Sequence, residues 1–136
     1  MTNAKKWLGR SRAITKELAA LRAARKETFD QLTSIAQNYS PDGAQMTKNP
    51  HKFDRLAELN DLIDKKESEL IETRLEITKA IIQVPSGNQR AVLLNYYVAV
   101  KTLEQIAVEN GCSARNVQNV RTRGIFWIEK NIPEVP

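Results

Sequence analysis

Proline and glycine, the two residues that most readily interrupt a helix, fall at only a few places in this 136-residue chain, and the stretches between them are long. From Ala4 to Asn38 there is no proline, and Gly9 is the lone glycine; from His51 to Val84 there is neither. Both stretches repeat apolar residues at helical spacing. In the first, Ile14, Leu18, Leu21, Leu32 and Ile35 recur in steps of four and three, with the seam interrupted at Arg25 and Thr28. In the second, Phe53, Leu56, Ile63, Leu70, Ile77, Ile81 and Val84 follow a heptad seam, with Asn60, Glu67 and Arg74 in its gaps. Leu59, Leu62, Leu75 and Ile82 widen that stripe, and a wide stripe asks for more than one partner helix. The fold class is therefore all-α, and the first helix should reach on the order of 50 Å at about 1.5 Å per residue.

Tyr39 to Pro50, YSPDGAQMTKNP, is the break between the two helices, because it gathers two prolines with Asp-Gly and Asn-Pro turn signals. Two helices of similar length with a short connection should fold back into a long antiparallel, coiled-coil-like hairpin. A fold centred near Ala44 and Gln45 brings Ile14 to Leu75, Leu18 to Ile71, Arg22 to Glu67 and Arg25 to Asp64. Charge agrees: residues 1–38 carry eight Lys/Arg against three Asp/Glu, whereas residues 51–84 carry six against eight. The basic first helix could serve as a nucleic-acid arm, but complementarity within the hairpin accounts for it more simply. Pro85-Ser86-Gly87-Asn88 closes the hairpin. Residues 1–84 thus read as a unit for oligomerisation or partner binding, and residues 85–136 as a second, tri-helical unit. Its first helix runs from Gln89 through Val92, Leu93, Leu94, Tyr96, Tyr97 and Val98.

Thr102 to Val120, TLEQIAVENGCSARNVQNV, carries the densest local signals. Thr102 with Gln105 three residues on is a capping box that opens a short helix. Ala107 is small enough for a second helix to cross closely, and Asn110-Gly111 ends the first helix with a residue that accepts the left-handed conformation. Ser113 is the N-cap of the next helix. Val117, Val120, Gly124 and Ile128 share its inner face, while Arg115, Asn119 and Thr122 point the opposite way, with Gln118 flanking them. Arg121 falls near the inner edge, and Arg123 lies to one side. The stretch is a helix-turn-helix, a unit that presents one helix to the DNA major groove. Arg can donate two hydrogen bonds to guanine, and Asn or Gln can pair with adenine. Arg115, Gln118, Asn119 and Thr122 are the candidate base readers, with Ser113 and Arg123 as phosphate contacts. The alternative for these residues is a solvated polar face; three arginines and no acid between Ser113 and Arg123 favour nucleic acid. Phe126-Trp127-Ile128 is expected to pack onto the domain's own helices.

Other classes of function find little purchase. A net charge of +5 suits nucleic acid without requiring it. No apolar run approaches the roughly 20 residues of a membrane span, and the N-terminus lacks an apolar signal core. Cys112 is the single cysteine, so an internal disulfide is impossible, and it reads as a small buried hydrophobe. His51, the single histidine, reads as a surface or capping residue. No metal-ligand spacing, phosphate loop or nucleophile elbow is present. Glu67, Glu69, Glu72 and Glu76 read as a solvated face. The expectation is a protein with no catalytic site, no metal and no cofactor, cytoplasmic in a bacterial host.

Gln89 to Lys130, QRAVLLNYYVAVKTLEQIAVENGCSARNVQNVRTRGIFWIEK, resembles region 4 of bacterial sigma factors. The shared pattern is a leucine-rich helix ending in Tyr (Leu93-Leu94-Asn95-Tyr96), then Ile106-Ala107, the Gly111 turn, and Ser113-Ala114-Arg115. With its helical hairpin the chain also looks like small sigma-like phage and prophage regulators, relatives of late-gene activators of the ArpU and RinA type. The resemblance covers about a third of the chain at motif level. It implies a tri-helical DNA-binding domain acting in transcription, with RNA polymerase as a further partner. Asn95 stands where such proteins often carry Arg, and Cys112 where a larger apolar residue is usual. The other sigma regions are absent.

Two functions follow. One is a sequence-specific DNA-binding transcription regulator, a homo-oligomer that reads double-stranded DNA with helix 113–128. The other is an adaptor whose hairpin docks on RNA polymerase or a phage packaging partner, without base readout.

Overall fold

The computed structural model describes residues 3–38, 51–133 and 135, with side chains over 3–34, 53–133 and 135. The turn expected over Tyr39–Pro50 lies outside the described residues. The fold is all-α, with no strand among the described residues. Among the described residues six α-helices follow in order: α1 (Asn3–Leu8), α2 (Arg10–Asn38), α3 (His51–Ile81), α4 (Gly87–Leu93), α5 (Leu103–Asn110) and α6 (Ala114–Asn131), with a π-helical stretch, Leu94–Val98, continuing α4.

The chain packs as two compact units, one of residues Met1–Thr15 with Leu70–Pro136 and one of Lys16–Glu69. The Pro85 turn lies inside the first of these. Among the described residues of the Lys16–Glu69 unit, Leu18 and Ile63 are the buried apolar ones, and polar contacts run in opposite directions along α2 and α3. Lys66 bridges Glu17 at 2.9 Å and Glu69 at 3.1 Å, and these two hydrogen bonds push its ammonium pKa up. Arg22 pairs with Glu67 at 3.4 Å, as the expected register requires. Arg25 departs from it and donates to Asn60 at 3.3 Å instead of meeting Asp64.

The expected partners of Ile14 and Leu18 are not buried. Ile71 and Leu75 are 67% and 55% exposed, whereas Leu70, Thr73 and Ile77 are buried. Of the expected heptad seam, Ile63, Leu70, Ile77, Ile81 and Val84 are buried along α3 and the turn after it, whereas Leu56 is half-buried and Phe53 is 56% exposed. Of the residues that widen the stripe in the sequence, Leu62, Leu75 and Ile82 stay on the outside and Leu59 is half-buried, because one neighbouring face suffices to cover one seam.

The first helix is not continuous. A turn at Gly9 separates α1 from α2, although Gly9 N–H still reaches Lys5 O at 3.0 Å and Ala13 N–H reaches Gly9 O at 3.1 Å. Tertiary packing uses the break: α1 lies against α6, and its Ala4 and Leu8 join a core with Ile77, Ala80, Ile81, Val84, Leu93, Tyr97, Ile125, Ile128 and Ile132.

The expected helix from Gln89 to Val98 also differs. Ser86 caps α4 by accepting the Gln89 N–H at 3.3 Å, but the last turn widens, and Ala99 N–H bonds to Leu94 O at 2.9 Å. A π turn adds a residue to the turn and shifts the side chains that follow. Here Tyr97 is buried, Tyr96 is half-buried, and the two rings meet edge to face at 4.8 Å. Val100 then takes a left-handed backbone, φ 57°, an uncommon conformation for a β-branched residue.

Candidate nucleic-acid interface

The site is built from α5, a three-residue turn and α6. Thr102 Oγ1 accepts the Gln105 N–H at 3.1 Å, and Gln105 Oε1 accepts the Thr102 N–H at 2.8 Å, so the capping box closes on both sides. At the other end of α5, Cys112 N–H reaches Ala107 O at 3.0 Å and Gly111 N–H reaches Val108 O at 3.3 Å. These two bonds form a Schellman motif around Gly111, which sits at φ 66°. Glycine is needed there because a Cβ would meet its own backbone in that conformation. Cys112 is half-buried against the small core of Val92, Ile106, Ala107, Val117 and Val120. That core joins α4, α5 and α6. Ser113 Oγ accepts the Asn116 N–H at 3.1 Å and caps α6. Its own hydroxyl hydrogen remains available to an acceptor outside the helix.

The inner face of α6 buries Val117, Val120, Arg121, Gly124, Ile125 and Ile128. Gly124 permits a close crossing of α4: a Cβ placed there would lie 2.7 Å from Leu93 Cδ1 and 3.2 Å from its Cγ. Arg121 belongs to the inside. It is 7% exposed, its guanidinium lies 4.4 Å from the Tyr96 ring centroid, and its Nε has no partner.

The outer face carries most of the expected site. Ser113, Arg115, Asn119, Thr122 and Arg123 are exposed. The side chains of Arg115, Asn119 and Arg123 have no polar partner among the described residues, so they are free to bind. Thr122 Oγ1 donates to Gln118 O at 2.9 Å, which leaves its methyl and lone pairs facing outward. Gln118 stands apart from this group: it is half-buried, and its Oε1 is sealed from solvent without a partner. It shares a cavity with Lys5, Arg121, Thr122, Ile125, Phe126 and Glu129, where α1 runs alongside α6. At about 100° per residue, Arg115, Asn119, Thr122 and Phe126 fall on one stripe.

Phe126 corrects the sequence reading. It does not pack inward with Ile128; it is 56% exposed, with Lys130 Nζ 4.5 Å from its ring centroid. Its position eleven residues after Arg115, close to three turns, was the available signal.

Arg12 and Ser11 went unnoticed in the sequence, although they hold the platform beneath this site. Arg12 Nη1 donates to Tyr96 O at 2.9 Å and Lys101 O at 3.1 Å, and Ser11 Oγ donates to Tyr97 O. They satisfy the Tyr96 and Tyr97 carbonyls, which the end of the π-helical stretch leaves open, and the Lys101 carbonyl in the link to α5. Nothing local to Ser11-Arg12 announces a partner more than eighty residues away.

No helix among the described residues is long and apolar enough to cross a membrane, and no group of three or more His, Cys, Asp or Glu there is placed to hold a metal ion. Comparison with protein-family models, curated proteins and solved structures returned no match.

Proposed function

We propose that the chain is a sequence-specific DNA-binding transcription regulator that acts in the bacterial cytoplasm as a homo-oligomer. The observation that carries this reading is the outer face of α6, where Arg115, Asn119 and Arg123 stand exposed without partners beyond a capped glycine turn. These are the side-chain types that read guanine and adenine edges or hold phosphate. Arg115, Asn119 and Thr122 contact bases. Ser113 and Arg123 hold phosphates, and Gln118 reaches a base edge only if its amide swings out of the cleft beside α1. The likeness to sigma region 4 over Gln89–Lys130 supports the same reading and adds RNA polymerase as a partner.

Fluorescence anisotropy tests it. Upstream fragments of the source genome and a scrambled duplex are titrated with the wild type and with Arg115→Ala and Asn119→Ala, at several salt concentrations. The expected result is fragment-selective binding that each substitution weakens by about 1–3 kcal/mol. Equal, weak and steeply salt-dependent binding to every duplex would overturn it, because that behaviour needs only a basic surface.

A further inference from the structure

The outer face of α3 carries a second apolar seam that the rest of the fold does not use. Ile71 and Leu75 on α3, and Ile82 just past its end, whose N–H still bonds Thr78 O at 3.0 Å, are 67%, 55% and 58% exposed, and with Thr78 they follow steps of four, three and four. Those steps are the d, a, d, a positions of a coiled coil. Thr73, Ile77 and Ala80, on the opposite side of the same helix turns, are buried, as is Ile81 on the flank. This stretch of α3 therefore shows two seams, one covered and one open.

The open seam is complementary to itself. Positions 71 and 82 sum to 153, and so do 75 and 78. Two copies placed antiparallel about a two-fold axis thus stack Ile71 on Ile82 of the partner subunit, and Leu75 on Thr78 of the partner subunit. In such a pairing each e position faces an e position of the other helix, and the e positions here are Glu72 and Lys79. Each Glu72 then meets Lys79 of the partner subunit, twice by symmetry. Neither residue forms an ion pair among the described residues. A parallel pairing fails on the same charges. It sets Glu67 against Glu72 of the partner subunit, and Arg74 against Lys79 of the partner subunit.

We propose that α3 and the residue just past its end join two copies of this chain through Ile71, Leu75, Thr78 and Ile82, antiparallel and about a two-fold axis. The pairing gives the homo-oligomer of the proposed function a definite face, and it does not depend on DNA. A two-fold axis relates the two α6 helices of the dimer, the symmetry that a palindromic site requires.

Sedimentation equilibrium of the full chain, without DNA, decides the matter over about 5 to 200 μM, a range that mass action makes informative for a short interface. The wild-type mass should climb from 15.4 kDa toward twice that value, and Leu75→Glu should hold it at 15.4 kDa. Glu72→Lys and Lys79→Glu should each weaken association about tenfold through like-charge contacts, and the double exchange should return to within about threefold of wild type. Circular dichroism checks that each exposed substitution leaves the helices intact. A wild type monomeric throughout, a Leu75→Glu chain that still dimerises, or a double exchange without recovery overturns the proposal. So do single charge variants that tighten association, because that is what a parallel pairing gives. A dimer that ignores DNA would sink the DNA-reading function alone, whereas a monomer that binds selectively would sink the dimer, and with it the homo-oligomer of the proposed function, while leaving the DNA reading intact.

Discussion

Arg12 holds Tyr96 in two ways: its guanidinium lies 4.1 Å from the ring centroid, and its Nη1 donates to the same residue's carbonyl at 2.9 Å. Tyr96 in turn lies under Arg121 of α6. The start of α2, the π turn after α4 and the inner face of α6 are thereby tied through one aromatic ring.

Replacing Arg12 should therefore loosen the support of α6. Arg12→Ala leaves the carbonyls of Tyr96 and Lys101 without this donor and should cost about 2 kcal/mol, as charge-assisted hydrogen bonds do. Arg12→Lys should recover only part of the loss, because an ammonium cannot stack and fork as the planar guanidinium does. Urea denaturation of the three proteins measures both differences.

Two glycines should be costly to change for different reasons. Gly111→Ala forces a side chain into a left-handed backbone and should lose about 1 kcal/mol or somewhat more. Gly124→Ala meets the fully buried Leu93 at sub-contact distance and should lose about 1–3 kcal/mol by overpacking. Thermal melts should rank both below wild type, and Gly87→Ala, where a Cβ meets only the tip of Arg90, should melt near wild type.

Tyr97 makes stability fall at high pH. Burial raises its pKa above the ordinary value of 10.0, outweighing the pull of Arg121 and Arg12. Below pH 10 the phenol is neutral in both the folded and the unfolded chain. Above it the unfolded chain loses the proton first, so stability declines as pH rises toward the folded pKa, by at most about 1.4 kcal/mol per pH unit. The buried hydroxyl also lacks a hydrogen-bond partner. Tyr97→Phe should therefore be at least as stable as wild type at pH 7 and lose less between pH 10 and 11, read as urea midpoints at each pH.

Arg115 and Arg121 should separate binding from stability. Arg121→Ala removes a buried side chain from the Tyr96 ring and should lower the urea midpoint. Arg115→Ala should leave that midpoint within about 0.5 kcal/mol, as exposed substitutions do, while weakening duplex binding. The reverse pattern would move the reading face to the other side of α6.

The local features of the α5–α6 unit were legible in the residues because their determinants lie close together in sequence. The Thr102 capping box, the Gly111 turn and the Ser113 cap each depend on atoms within about five residues, and the inward lean of Arg121 followed from helical periodicity. The inner seam of α3 was plain in its heptads from Ile63 onward, but not at Phe53, which the same repeat placed inside and which is exposed. Packing between distant segments decided the rest. That Ala4 and Leu8 of α1 join the core beside α6 depends on distant packing, and the tie between Arg12 and Tyr96 spans most of the chain. Which apolar positions of α3 face outward depended on how many neighbours the helix has. Periodicity records that a stripe is wide; only the packed chain shows that one edge of it, Ile71 to Ile82, is left open.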